Sequence, residues 1–318
     1  MKLILTGGRE REGLQSEATQ YDMGIILTFD TVSGDAEINV HYESPPETCP
    51  VKNPSILFKA GSIRDSTLYV CTQTEVLMYS LPSFVQTGYV SLKCFNDLHH
   101  VACTDAGHLL IANTGLDMVI EMTQGGTIIR EWDVLGEQTW NKFSKEKDYR
   151  LIPSTKPHKS HPNYVFTVGP HIWVTRCHQQ DAVCLTHEGW SLPVNGAYIH
   201  DGVIYDEHIY FTRVDGHVVK VDLKNPGRPQ LYNLNKMAAA NMPLGWCRGI
   251  KPVGDDKVVV CFSRLRPTTK INADGSKTTS GNFGVKPTHI ACFDLRAEVK
   301  KWEFDMEQHG LNAIYSIL

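Results

Sequence analysis

Short apolar runs broken by turn residues, and repeated at a period far longer than a helical turn, constrain this 318-residue chain more than any other feature. Between Asp97 and Val134 four runs follow one another, at 100–104, 108–113, 118–122 and 127–132. Asp105-Ala106-Gly107 separates the first pair and Gln124-Gly125-Gly126 the last pair. The runs are rich in Val, Ile and Leu, and long segments of 3.6-residue period are almost missing, so the pattern predicts an all-β fold. Comparable units cover 55–92, 163–194, 203–234 and, with a long insertion, 249–304.

The two ends complete the count. The stretch 311–318 reads as a first strand with nothing after it to pair with, whereas 2–6, 24–31 and 37–42 read as three strands lacking a first. Joined, they make a sixth unit that closes a ring and leaves no open sheet edge. The expectation is a six-bladed β-propeller over residues 1–318 as one domain, its N- and C-terminal strands sharing a blade; seven blades is the competing count.

Composition narrows the partners. A hydrophobic fraction of 42% with 21% charged residues is that of a globular protein, and a net charge of −4 argues against a general nucleic-acid binder. No apolar run is long enough to span a bilayer, and the N-terminal apolar stretch is too short for a secretory signal, so no membrane partner is expected. The nine cysteines are scattered and odd in number, which fits free thiols in a cytoplasmic protein. Cys177 and Cys247 are the two considered for a reactive thiol. No phosphate-binding or nucleophile-elbow motif stands in a usable context, so no nucleotide cofactor is indicated. The basic loop 142–159 reads as a solvated lid. Oligomeric state is left open.

In a propeller blade the strand-four-to-strand-one connection and the loop between strands two and three share one face. The long loops 43–53, 135–162 and 235–246 are of the first kind, and 7–23 and 266–287, the latter with a polar tip at Asp274-Gly275-Ser276, of the second. That asymmetry predicts a covered central site. Aligned strand-one starts give a polar column of Ser55, His99, Asn163, Asp201, Arg248 and Asn312, flanked by His100, His161, His200 and His309. Strand two ends on Arg176, Arg213 and Arg264, and guanidinium forks suit carboxylate, phosphate or sulfate.

Three chemistries fit. In the first, His100, His161 and His200 hold zinc, iron(II) or manganese, with Asp201 and Asn163 as oxygen ligands, and the ion assists lyase or hydrolase work on a small anionic substrate. His99, His100 and Arg248 would then be catalytic, and Arg176, Arg213, Arg264, Asn163 and Asn312 would bind substrate. In the second, His99 or His100 acts without a metal and arginines clamp the transferred group. In the third, the ring only binds a ligand or a protein.

The strings His-Pro-Asn at 161–163 and Ile-Ala-Asn-Thr-Gly-Leu-Asp at 111–117 resemble blade motifs of NHL-type and gluconolactonase-type six-bladed propellers. The lactonase resemblance implies a divalent ion held by Glu, Asn and Asp; Asn163, Asp201 and Asn312 match the last two types, and no Glu stands in the column. A related NHL lyase family, which places histidines on zinc, is closer to the trio here. The stretch 99–132, with His-His-Val and Gly-Gly-Thr-Ile-Ile-Arg-Glu-Trp, is similar to one blade of arylsulfotransferase-type propellers, which implies sulfuryl transfer by funnel histidines and an arginine.

Overall fold

The alternation of apolar and polar residues in each run produces six antiparallel four-stranded sheets arranged as a ring, in a computed structural model that describes residues 1–13, 20–271, 277–280 and 284–318. The count is six. Counting from the first complete unit, blades one to five start on innermost strands Gly61–Arg64, Leu98–Cys103, Pro162–Val168, Ile199–Tyr205 and Trp246–Gly254. Blade six is composite: its innermost strand, Ala313–Ile317, pairs with Lys2–Glu10, which continues to Tyr21–Asp30 and Ala36–Tyr42. Register across the closure runs Leu5 to Ile317 and Gly8 to Ala313, and Ile4 and Leu318 exchange backbone hydrogen bonds of 2.9 and 2.8 Å. Gly7 is required there, because a Cβ would lie 1.7 Å from the Ala313 carbonyl oxygen.

Burial follows the seams between blades. Phe166, Trp173, Ile199 and Phe211 pack blade three on four, and Tyr210, Leu234, Val260 and Phe293 pack four on five. Leu3, Phe29, Val259 and Ile290 join five to six, and Ile26, Phe58, Leu68 and Tyr79 join six to one. Tyr69, Met78, Val101 and Ile111 join one to two, and Leu110, Val119, Val165 and Val174 join two to three. Fully burying each such side chain is worth roughly 1.5–3 kcal/mol, so the ring is held by six separate cores rather than one. The channel on the axis is left to the innermost strands.

The insertion in blade five carries an extra hairpin, Thr268–Ile271 with Lys277–Ser280; the polar tip Asp274-Gly275-Ser276 lies outside the described residues. No helix among the described residues is long and apolar enough to cross a membrane. All nine cysteines are free, and most are buried. Burial pushes the Cys177 thiol up to about 12 and the Cys247 thiol well above its ordinary value, which removes both as thiolate nucleophiles at neutral pH.

Candidate functional site

A register irregularity sits near the start of four innermost strands, between Leu98 and His100, Pro162 and Val165, Ile199 and Gly202, and Cys247 and Ile250. A regular strand turns alternate residues to opposite faces; an extra residue breaks that rule and re-aims the side chains beside it. His99, Asn163, Asp201 and Arg248 of the polar column occupy these irregularities, and bulges of this kind recur next to active sites.

The long connection before blade three brings two histidines to the same mouth. Asp117, at the left-handed end of a 3₁₀ turn (φ 52°), accepts backbone N–H bonds from Lys159 at 2.7 Å, Ser160 at 3.0 Å and His161 at 2.8 Å. That carboxylate sets the path of 158–161 and helps hold His161 at φ 60°. Asp97, also left-handed at φ 50°, enters blade two beside them. Asp97, His158 and His161 each offer one ligand atom, and these atoms lie within 4.8 Å of one another.

The donor set fits a divalent ion. Two imidazoles and one carboxylate match both a catalytic zinc site and the facial triad of iron(II) enzymes, each with a position left for water or substrate. The Nδ1 atoms of His158 and His161 are 2.8 Å apart. Two nitrogens on one tetrahedral ion about 2.05 Å away stand roughly 3.3 Å apart, so a small side-chain adjustment suffices. Behind His158, Thr155 Oγ1 lies 2.5 Å from the Gly115 carbonyl and 3.2 Å from both Asn96 Oδ1 and His158 Nε2, so Nε2 is held there and Nδ1 is turned to His161. Burial drives both imidazoles below their ordinary pKa, so both are neutral at pH 7. Burial alone would raise the Asp97 carboxyl, but Lys59, His158 and His161 outweigh it and hold it below its usual range.

Around this cluster lies a cationic wall. Lys59, 3% exposed, reaches Asp97 Oδ1 at 2.5 Å and leaves the second oxygen for an ion. His99 stands edge-on to His161 with ring centroids 4.8 Å apart, its Nδ1 bonded to the Asp97 carbonyl at 2.9 Å. His200 donates Nδ1–H to Asp201 Oδ1 at 2.6 Å, and its buried Nε2 has no partner among the described residues. Arg248 lies 4.2 Å above the Tyr315 ring, 9% exposed, with Nη1 buried and without a hydrogen-bond partner among the described residues. Burial pushes the Tyr315 hydroxyl up, yet Arg248, Lys59 and Arg266 together bring it below its ordinary value.

The structure thus brings His99, His161, His200, Asn163 and Arg248 into the channel region but does not join His100, His161 and His200 into one ligand set. His100 is a wedge between blades: its ring stacks on Tyr164 at 3.6 Å and its Nδ1 accepts the Val165 N–H at 3.2 Å. Asp201 serves His200. Asn163 donates to the Ile199 carbonyl at 2.9 Å and keeps a buried Oδ1 with no partner among the described residues. Asn312 accepts the Glu10 N–H at 3.0 Å and braces the closing blade.

The three strand-end arginines correct the expectation of a free cationic rim. Arg176 forks onto Asp181, Arg213 onto Asp215 and Arg264 onto Glu307, so each is already neutralised by a carboxylate. Four contributors escape the column alignment: Asp97, His158, Lys59 and Tyr315. His158 carries the one available signal, a compact His-Lys-Ser-His string inside a Pro-flanked loop.

Fold and site together define a six-bladed propeller with a candidate metal centre at one mouth of its channel. Solved structures agree on the fold. A protein of unknown function from Bacteroides caccae matches with a TM-score of 0.61 at 12% identity, covering 99% of this chain and 97% of that one. A chain in a nidogen–laminin complex matches at 0.60 and 9% identity (100% and 97% covered), and a periplasmic gluconolactonase from Pseudomonas aeruginosa at 0.56 and 12% (100% and 99%). The gluconolactonase-type resemblance holds at the level of the propeller fold. No protein-family pattern matches the sequence, and no curated protein matches it.

Proposed function

We propose that this chain, acting as one domain, is a metal-dependent hydrolase or lyase that works on a small anionic molecule at the long-loop mouth. The observation that carries the reading is the Asp97, His158 and His161 cluster, whose ligand atoms lie within 4.8 Å of one another. A zinc, iron(II) or manganese ion there would act as a Lewis acid toward a substrate oxygen. Arg248, buried and without a carboxylate partner among the described residues, supplies the anion contact. His200 offers Nε2 as proton acceptor while Asp201 holds its Nδ1–H, and Tyr315 offers an acidified hydroxyl as proton donor. His99 presents a second neutral imidazole next to the cluster; with Lys59 and Arg248 it favours metal-free group transfer as the alternative. Nine unpaired thiols support a reducing, cytoplasmic setting.

The test is proton release or uptake by metal-loaded protein across a panel of carboxylated lactones and hydroxy acids. Turnover that falls at least about tenfold in both Arg248→Met and Asp97→Asn supports the proposal. Turnover untouched by chelation and by Asp97→Asn favours the metal-free reading, and carboxylate binding without turnover favours a binding module.

A further inference from the structure

We infer that the opposite mouth of the channel is a second small-molecule site, shaped for a carboxylate that also carries a hydrogen-bond donor. A cavity of about 380 Å³ opens there among the outgoing ends of innermost strands, within the range of small-ligand pockets. Val203, Ile250, Pro252 and Ile317 make its walls apolar. Two charged groups interrupt them, and each has capacity to spare.

Lys251 has no ion pair or hydrogen bond among the described residues, and burial pushes its ammonium below the ordinary value with no carboxylate to offset it. Other lysines near this face are paired, Lys220 with Asp256 at 2.8 Å and Lys257 with Asp255 at 3.7 Å. Asp201, 2% exposed, commits Oδ1 to His200 and has no partner for Oδ2 among the described residues. A carboxylate oxygen and a half-buried ammonium, each with no partner among the described residues, can both take one from a ligand. One ligand can satisfy both: its carboxylate on Lys251, its hydroxyl or ammonium on Asp201, and its apolar body against the walls. Because Asp201 also holds His200, such a ligand would touch the residue that orients a side chain of the metal-side mouth.

The proposal does not depend on the metal reading. Calorimetric titration of the full chain with L-tryptophan, indole-3-propionate and tryptamine tests it. L-tryptophan should bind one to one, and each truncated ligand at least about tenfold more weakly. Lys251→Met should weaken L-tryptophan at least tenfold and abolish its advantage over tryptamine, whereas Lys251→Arg should retain that advantage. His158→Ala should bind L-tryptophan as the unmodified protein does. No binding of L-tryptophan, equal affinity for all three ligands, or a loss caused by Arg248→Met but not by Lys251→Met each overturns the proposal.

Discussion

Two buried polar regions of the ring differ in how completely they are satisfied. Glu75 in blade one is fully buried and accepts five hydroxyl bonds: Tyr42 at 2.7 Å, Ser44 at 2.5 Å, Thr48 at 3.2 Å, Thr72 at 2.8 Å and Tyr89 at 2.9 Å. At the axis, His200 Nε2, Asn163 Oδ1 and Arg248 Nη1 are buried with no hydrogen-bond partner among the described residues. A saturated carboxylate has nothing left to offer a ligand and ties blades six and one together. Orphaned donors and acceptors beside a ligand cluster cost stability unless something arrives to meet them.

The largest effect is expected at the satisfied hub. Glu75→Leu strands several hydroxyls at once and should cost about 3–5 kcal/mol, read by denaturant unfolding, with metal uptake by the folded fraction unchanged. A loss under 1 kcal/mol would break the contrast.

Acid should expose the histidines next. Burial holds His100 down to about 3 and His289 down to about 4, both below the ordinary 6.5. Between those values and 6.5 the unfolded chain binds more protons than the folded one. Stability is therefore full above pH 6.5 and falls as pH drops toward 4, which unfolding curves at pH 7.5, 6 and 5 will follow. A flat profile over that range contradicts their burial as neutral rings.

The smallest effect separates paired from unpaired arginine. Arg176→Ala should leave affinity for a small carboxylate within about twofold, because Asp181 already occupies its fork, while Arg248→Met should lower it at least about tenfold. Equal losses in titrations of both variants would mean that the strand-end arginines bind substrate after all.

The fold was legible because its signals are local: period-two alternation and turn residues recur blade by blade, and the unpaired end strands announce their own closure. The column also emerged, since bulges fall at equivalent strand starts and put His99, His200 and Arg248 in register. The ligand set did not. Asp97 and His158 lie in connections rather than strands, and Lys59 sits in an apolar string whose ammonium is buried only because Asp97 of the next blade meets it. Such contacts span tens of residues and leave no periodic trace. The pairing of Arg176 and Arg213 leaves no mark in the repeat alignment, although Asp181 and Asp215 stand only five and two residues away.

The central claim is the identity of the metal ligands, and zinc titration with elemental analysis after dialysis tests it most directly. The account predicts about one equivalent bound by the unmodified chain, at least about a hundredfold weaker binding in His158→Ala and Asp97→Asn, and unchanged binding in His100→Ala. Zinc retained by His158→Ala but lost from His100→Ala, or no ion bound by the unmodified chain, would contradict it.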